Sequence, residues 1–108
     1  MKIITSELIR KFKDFLIGEE KAFATIEKYI HDVLMFMTWL SGMEVTKTQV
    51  LQYKQELMEK YAPASVNSAL SSLNSFFMFN NWHDCKVKAL KIQRQIFASK
   101  DKELTKEE

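Results

Sequence analysis

The residues best suited to chemistry in this sequence are the hydroxyl and amide side chains between positions 61 and 83. This run contains no Lys, Arg, Asp or Glu, although 28% of the 108 residues are charged. Apolar residues recur in it at helical spacing, and small polar residues fill the other positions. Exposed helix faces usually carry Lys and Glu, so a face of Ser and Asn indicates that another surface comes close. The apolar positions are Val66, Leu70, Leu73 and Phe77, and the polar ones are Ser65, Asn67, Ser68, Ser71, Ser72, Asn74 and Ser75.

Such hydroxyl and amide groups donate hydrogen bonds to phosphate oxygens, and Asn also pairs with the edge of adenine. A helix that begins near Pro63 would direct its free N–H groups and its positive dipole at a phosphate. The segment from Lys86 to Lys100 contains five basic residues and no acidic one, whereas the net charge of +2 is too small to indicate a nucleic acid by itself. DNA is therefore one candidate for the nearby surface, and a further helix or another domain is the alternative.

Residues that support catalysis or metal binding are few. Gly18 and Gly42 stand alone, so no glycine-rich phosphate loop is predicted. The imidazole and thiol groups are those of His31, His83 and Cys85, whereas a structural zinc site needs four ligands. We expect no catalytic residue, no metal site and no cofactor in this chain.

The composition predicts a single all-α domain. Hydrophobic residues make up 46% of the chain, which is enough to build one core. Two Gly and one Pro leave few tight turns, and this favours helices over hairpins. One Cys, no signal-peptide pattern and no run of ~20 apolar residues predict a cytoplasmic protein without membrane contact.

The spacing of apolar residues predicts a compact bundle of four main helices. They cover approximately residues 1–18, 24–40, 46–61 and 63–79. Thr5 or Ser6 caps the first helix, Thr46 with Gln49 forms a capping box, and Asp84 caps a short fifth helix over residues 85–91. The predicted buried stripes of the first three helices are Leu8, Phe12, Phe15 and Leu16; Ile26, Ile30, Val33, Met37 and Leu40; and Val50, Tyr53, Leu57 and Tyr61.

Several short motifs follow one another in a recognisable order. They are Phe15-Leu16, Thr25-Ile26-Glu27-Lys28-Tyr29, Asp32, Phe36, Trp39-Leu40, Val66-Asn67, Leu70-Ser71-Ser72-Leu73 and Phe76-Phe77. With this order and spacing, residues 6–97 resemble the amino-terminal core-binding domain of phage integrases and related tyrosine recombinases. Leu104 to Glu108 resembles the segment that opens the catalytic domain of that family. Its capping box, Thr105 with Glu108, predicts a helix that continues past the given sequence.

The resemblance implies a SAM-like bundle of four main helices that forms half of a clamp around DNA. It divides the chain into a core-binding domain at residues 1–97 and, at residues 98–108, a linker with the start of an absent catalytic domain. The family's catalytic Arg, His and nucleophilic Tyr belong to that absent domain. The residues that the resemblance assigns to DNA contact are Lys21, Thr25, Lys28, Ser65, Asn67, Ser68, Ser71, Asn74, Lys86, Lys88, Lys91 and Arg94.

Two hypotheses about function follow. The first is the DNA-binding half of a tyrosine recombinase, which positions the enzyme on its recombination site. Its partners would be double-stranded DNA and other protomers of the full-length recombinase, while the fragment alone is expected to be monomeric. The alternative is a helical protein–protein interaction module without DNA binding, which predicts salt-insensitive association and a large exposed apolar patch.

Overall fold

The architecture is a bundle of four α-helices, described for residues 2–91 by a computed structural model. A 3₁₀ turn at His83–Cys85 follows the last helix, and no strand occurs among residues 2–91. The predicted all-α class with four main helices is confirmed. The residues beyond Lys91, including the predicted boundary at residues 97 and 98, lie outside the described part of the chain. The helices are α1 (Ser6–Gly18), α2 (Phe23–Leu40), α3 (Lys47–Lys60) and α4 (Pro63–Phe79).

Local sequence fixes the starts of three helices. The hydroxyl of Thr5 accepts a hydrogen bond from the N–H of Leu8 at 3.1 Å, and that of Thr46 accepts one from the N–H of Gln49 at 3.2 Å. Each bond satisfies an N–H group that has no partner within its helix. Pro63 occupies the first turn of α4, where its missing N–H costs nothing.

α2 is the central helix, because it packs against each of the other three. Its Phe36 is fully buried, with the ring centroid 4.9 Å from that of Tyr53 on α3 and 6.1 Å from that of Phe77 on α4. Phe12 of α1 contacts Phe76 of α4 edge to face, with the centroids 5.2 Å apart. Aromatic pairs at these separations stabilise a core beyond the area that they bury.

The predicted buried stripes are wrong at their edges. Phe15 is 43% exposed and Tyr61 is 53% exposed, whereas Ile9 and Phe36 are buried. Tyr61 lies after the last residue of α3 with extended backbone, so its side chain no longer follows the helical period. The period gives the direction of a stripe, but the neighbouring helices decide which flanking residues they cover.

The predicted fifth helix over residues 85–91 is also wrong. The chain forms one 3₁₀ turn and then runs to Lys91 without a helix, although Cys85 and Val87 are buried. The backbone groups of this segment bond to side chains of α4, as described below. Those bonds satisfy groups that a helix would otherwise have to pair.

Tyr53 has a perturbed hydroxyl group in this core. Burial, followed by the negative charge of Asp32, raises the pKa of Tyr53 to about 12. Because the pKa in the folded state lies above the ordinary value of 10.0, the folded state holds this proton more tightly than the unfolded chain does. The resulting stability is fully present below pH 10 and is lost as the pH rises toward 12.

We expect Tyr53→Phe to reduce the alkaline loss of stability. In the parent protein, ionisation of Tyr53 in the unfolded chain lowers the free energy of unfolding by up to about 1.4 kcal/mol per pH unit between the two pKa values. Urea denaturation at a series of pH values from 9 to 12 measures the slope. Tyr61→Phe removes an exposed hydroxyl that raises the pKa of Tyr53 less than burial and Asp32 do, so this variant should retain most of the parent's alkaline loss. An unchanged slope in Tyr53→Phe would contradict the assignment.

Replacement of Phe36 by Ala should lower the free energy of unfolding by about 3–5 kcal/mol, because a fully buried ring between three helices is removed. Chemical denaturation followed by circular dichroism measures this loss. Met35→Ala changes the preceding, 50% exposed residue and should alter stability by only about 0.5 kcal/mol. Similar losses in both variants would argue against a central role for Phe36.

Candidate nucleic-acid interface

α4 exposes a narrow row of small residues. Ser68, Ser71 and Ser75 follow one another at spacings of three and four, so they lie along one face of the helix. Ser71 is exposed, and the other two are half-buried. Ala64 and Met78, both exposed, extend the same row at either end. We call Ser68, Ser71 and Ser75 the serine stripe. Their short side chains leave the backbone of α4 accessible to a neighbouring molecule.

A depression of about 290 Å³ adjoins α4 on the side of α2. Its lining includes Lys28 of α2, Tyr61 at the end of α3 and Ser65 of α4. Ser65 is exposed, and the side chain of Lys28 is 44% exposed. The structure therefore brings together two of the predicted DNA-contacting residues, one cationic and one with a hydroxyl group.

A polar network ties α2 to α4 beneath this depression. The hydroxyl of Ser72 donates a hydrogen bond of 2.7 Å to the carboxylate of Asp32. The ammonium of Lys28 pairs with the same carboxylate oxygen. Ser72 is fully buried and the Asp32 side chain is only 11% exposed, so each needs the partner that the other supplies. Ser72 therefore holds helices together, and Asp32 reduces the net positive charge that Lys28 presents.

A second depression, of about 320 Å³, lies at the opposite end of α4. Lys21 and Ser75 line it together with Tyr29. Thr25, in the first turn of α2, is half-buried and precedes Lys28 by one turn. The predicted residues on and before α2 are thus distributed along one edge of the serine stripe.

Two asparagines on α4 bind the backbone of the segment that follows the 3₁₀ turn. The amide of Asn74 donates to the carbonyl of Val87 at 2.9 Å, and its oxygen accepts from the N–H of the same residue at 3.2 Å. Asn67 makes the same pair of bonds with Leu90, at 2.9 and 2.6 Å. We call these four hydrogen bonds the asparagine clamp. Each side chain satisfies both backbone groups of one residue.

The clamp depends on matched spacing in the two elements. Asn67 and Asn74 are seven residues apart, which is about 10.5 Å along a helix. Val87 and Leu90 are three residues apart, and three residues reach at most about 10–11 Å. The segment must therefore lie close to full extension. It runs antiparallel to α4, because the earlier residue of the helix binds the later residue of the segment.

Asn67 and Asn74 were expected to face a DNA groove, but in the structure both amides form hydrogen bonds within the chain. Each carboxamide already uses a donor and an acceptor within the chain. Both side chains are half-buried. We therefore assign them to holding the following segment and do not include them among the proposed groups that contact DNA.

The basic segment, residues 86–91, lies along the other edge of the serine stripe. At about 100° per residue, the stripe falls between Ser65 and Ser72 on one side of α4 and the two clamp asparagines on the other. Lys54 of α3 also holds this segment, since its ammonium donates to the carbonyl of Lys88 at 2.7 Å. The predicted cations here are Lys86, half-buried, and Lys88 and Lys91, both exposed. Arg94 lies outside the described residues.

Other site chemistry is limited in the described part of the chain. Between residues 2 and 91, no three His, Cys, Asp or Glu side chains are grouped so as to hold a metal ion. Burial, with the negative charge of Asp84, raises the pKa of the buried Cys85 thiol. This favours the protonated thiol over the nucleophilic thiolate. No helix within residues 2–91 has the length and apolar character needed to cross a membrane.

Sequence reasoning missed the clamp and the buried hydroxyl of Ser72. The seven-residue spacing of Asn67 and Asn74 was visible, since it places both on one line of the helix. The partner could not be found from that spacing, because the segment was predicted to be helical. Ser72 differs from its exposed neighbour Ser71 only in the direction that it faces, and the packing of α2 decides that direction.

Comparison with known proteins gives one finding. A family model described as phage integrase, N-terminal SAM-like domain, matches residues 9–84. The match begins within the first turn of α1, contains α2 to α4 and reaches into the 3₁₀ turn. Searches of curated proteins and of solved structures gave no match.

Proposed function

The chain belongs to the phage integrase N-terminal SAM-like domain family, and we propose that it is the DNA-binding half of a tyrosine recombinase. In this role it positions the enzyme on a recombination site, while a separate domain cuts and rejoins the strands. The matched family is the N-terminal part of phage integrases and not their catalytic part. The proposed partners are double-stranded DNA and other protomers of the recombinase.

The observation that carries the proposal is the serine stripe with cationic residues along both edges. Lys21, in a depression that Glu19 also lines, and Lys28, paired with Asp32, flank the stripe on the side of α2. The basic segment flanks it on the other side, held there by hydrogen bonds to α3 and α4. Hydroxyl groups between two rows of cations suit a duplex, whose phosphates lie on either side of a groove. Small side chains allow α4 to approach that groove closely.

The helix starts add a second source of phosphate contacts. α2 and α4 begin after Ala22 and Ala62, whose methyl groups cannot accept the hydrogen bonds that Thr5 and Thr46 accept in α1 and α3. Free N–H groups and the positive end of the helix dipole favour an anion. Tyr29 lies beside Ser75 and Met35 lies beside Ser65, so α2 and α4 run antiparallel. Their starts therefore lie at opposite ends of the proposed interface.

A contact with another protomer of this chain is the second candidate function. A groove of about 630 Å³ lies between α1 and α2, with apolar residues along it. Phe23 is 72% exposed there and Ile17 is 54% exposed. Within α2, Phe23, Ile30 and Leu34 face this groove, whereas Lys28 and Asp32 face the depression beside α4. A protomer in the groove would leave the proposed DNA interface open, so the two contacts are compatible.

We expect the 108-residue chain to bind duplex DNA with a strong salt dependence. The logarithm of the affinity should fall with the logarithm of salt concentration by about 0.9 for each phosphate neutralised, or by about 4 for four contacts. Fluorescence anisotropy of a labelled duplex at several salt concentrations measures the slope. No binding at low salt, together with self-association that is insensitive to salt, would contradict the proposal and favour the interaction-module alternative.

Ser71→Glu should abolish DNA binding and leave the fold intact, since Ser71 is exposed at the centre of the stripe and Glu would repel phosphate. Ser68→Glu with Ser71→Glu should have the same effect on binding. Gln55→Glu adds an equal charge at an exposed position of α3 and serves as the control.

Anisotropy and circular dichroism together separate the outcomes for these variants. Equal affinities for Ser71→Glu and Gln55→Glu would place the duplex elsewhere on the protein. Loss of the helical signal in Ser71→Glu would show that the stripe is covered by packing instead of being open to a ligand.

A further inference from the structure

The asparagine clamp bonds the backbone of the basic segment at two points, Val87 and Leu90. Val87 is buried, and its side chain anchors the start of the segment in the core. Leu90 is half-buried, three residues farther on, and its backbone is nevertheless bonded twice to Asn67. The outer pair of bonds therefore fixes the backbone of a residue whose side chain packs only partly against the core.

The chemistry of the clamp makes it a positioning device. A carboxamide that both donates to and accepts from one residue fixes the distance and the rotation of that residue's backbone, as a neighbouring β-strand does. Two such contacts in register fix the direction of the whole segment. Because they bond only to backbone atoms, they leave the lysine side chains of the segment free of the clamp.

We propose that Asn67 and Asn74 act as positioning residues that make the basic segment and the serine stripe one rigid DNA-binding surface. The proposal rests on the function proposed above, and it gives a new role to two residues that the sequence resemblance assigned to direct DNA contact. The clamp sets the positions from which Lys88 and Lys91 reach the phosphates. It also sets the direction in which the chain leaves Leu90 toward the rest of the recombinase.

Pre-organisation gives this arrangement its energetic effect. A lysine on an unrestrained segment loses backbone freedom when it binds a phosphate, and that loss opposes binding. Because of the clamp, this backbone freedom is already lost when the protein folds, before DNA binds. Removal of the clamp should therefore weaken the contribution of the lysines without removing any charge from the protein.

A double-mutant cycle on the 108-residue chain tests this coupling. Lys88→Gln with Lys91→Gln should lower DNA affinity about tenfold and reduce the salt slope by about 2, because two phosphate contacts are lost. In the background of Asn67→Ala with Asn74→Ala, the same lysine changes should lower DNA affinity by less than about threefold, since the lysines no longer act from fixed positions. Equal costs in the two backgrounds would overturn the proposal.

Asn80→Ala is the matched control for the clamp variants. Asn80 is also half-buried, but its amide donates to the carbonyl of Phe76 at the end of α4 and makes no hydrogen bond to residues 86–91. The lysine changes should keep their full cost in this background. If the double asparagine variant does not fold, the single variant Asn67→Ala replaces it. This variant releases Leu90 and retains the bonds to Val87. It should also reduce the loss of DNA affinity that the lysine changes cause.

Hydrogen exchange separates failure of this proposal from failure of the proposed function, because it needs no DNA. The N–H of Leu90 should be protected in the parent protein, and Asn67→Ala should remove that protection while the N–H of Val87 keeps its own. An unprotected Leu90 N–H in the parent would overturn the clamp itself. Protection at Leu90 in a protein that binds no DNA at low salt would overturn the proposed function, and with it the coupling.

Discussion

The antiparallel packing of α4 against α2 is the constraint on which the rest of the structure depends. It buries one side of α4, places Ser72 against Asp32, and leaves α3, the 3₁₀ turn and the basic segment to cover other sides of the same helix. A helix enclosed in this way has few positions that can carry a charge without desolvating it. The absence of Lys, Arg, Asp and Glu from residues 61–83 is therefore largely a consequence of burial, and only a narrow exposed row remains for a ligand.

The sequence was sufficient to predict the structure where the interactions that decide it are local. Thr5, Thr46 and Pro63 start helices as predicted, because a cap or a missing N–H acts within one turn. It was insufficient where a distant segment decides the outcome. Phe15 and Phe36 have similar intrinsic preferences, and only the placement of the neighbouring helices leaves one exposed and buries the other. Residues 85–91 carry an acceptable helix pattern, but the asparagines of α4 offer their backbone groups a better set of partners.

Asparagine shows why a candidate site is harder to predict than a fold. A carboxamide that reads the edge of adenine and one that binds a backbone residue use the same donor and the same acceptor. The pattern of small polar residues on α4 was thus equally consistent with a ligand and with an internal partner. Geometry assigns Asn67, Ser72 and Asn74 to internal partners. It leaves Ser71 exposed and, in the first turn of α4, Ser65 as well.

In the proposed complex, shape and charge come from different parts of the chain. α4 supplies a slender surface with hydroxyl groups, and Lys28 contributes less attraction than a free cation because Asp32 shares its charge. The flanking cations must then provide much of the attraction to the phosphates, although they lie outside α4. Asn67 and Asn74 connect these two parts, because they lie on α4 and bind the backbone of the segment that carries the lysines. A basic residue at the position of Asn74 would bind phosphate directly. The asparagine instead orders a neighbouring segment that bears lysines, so the same position can strengthen binding through backbone geometry.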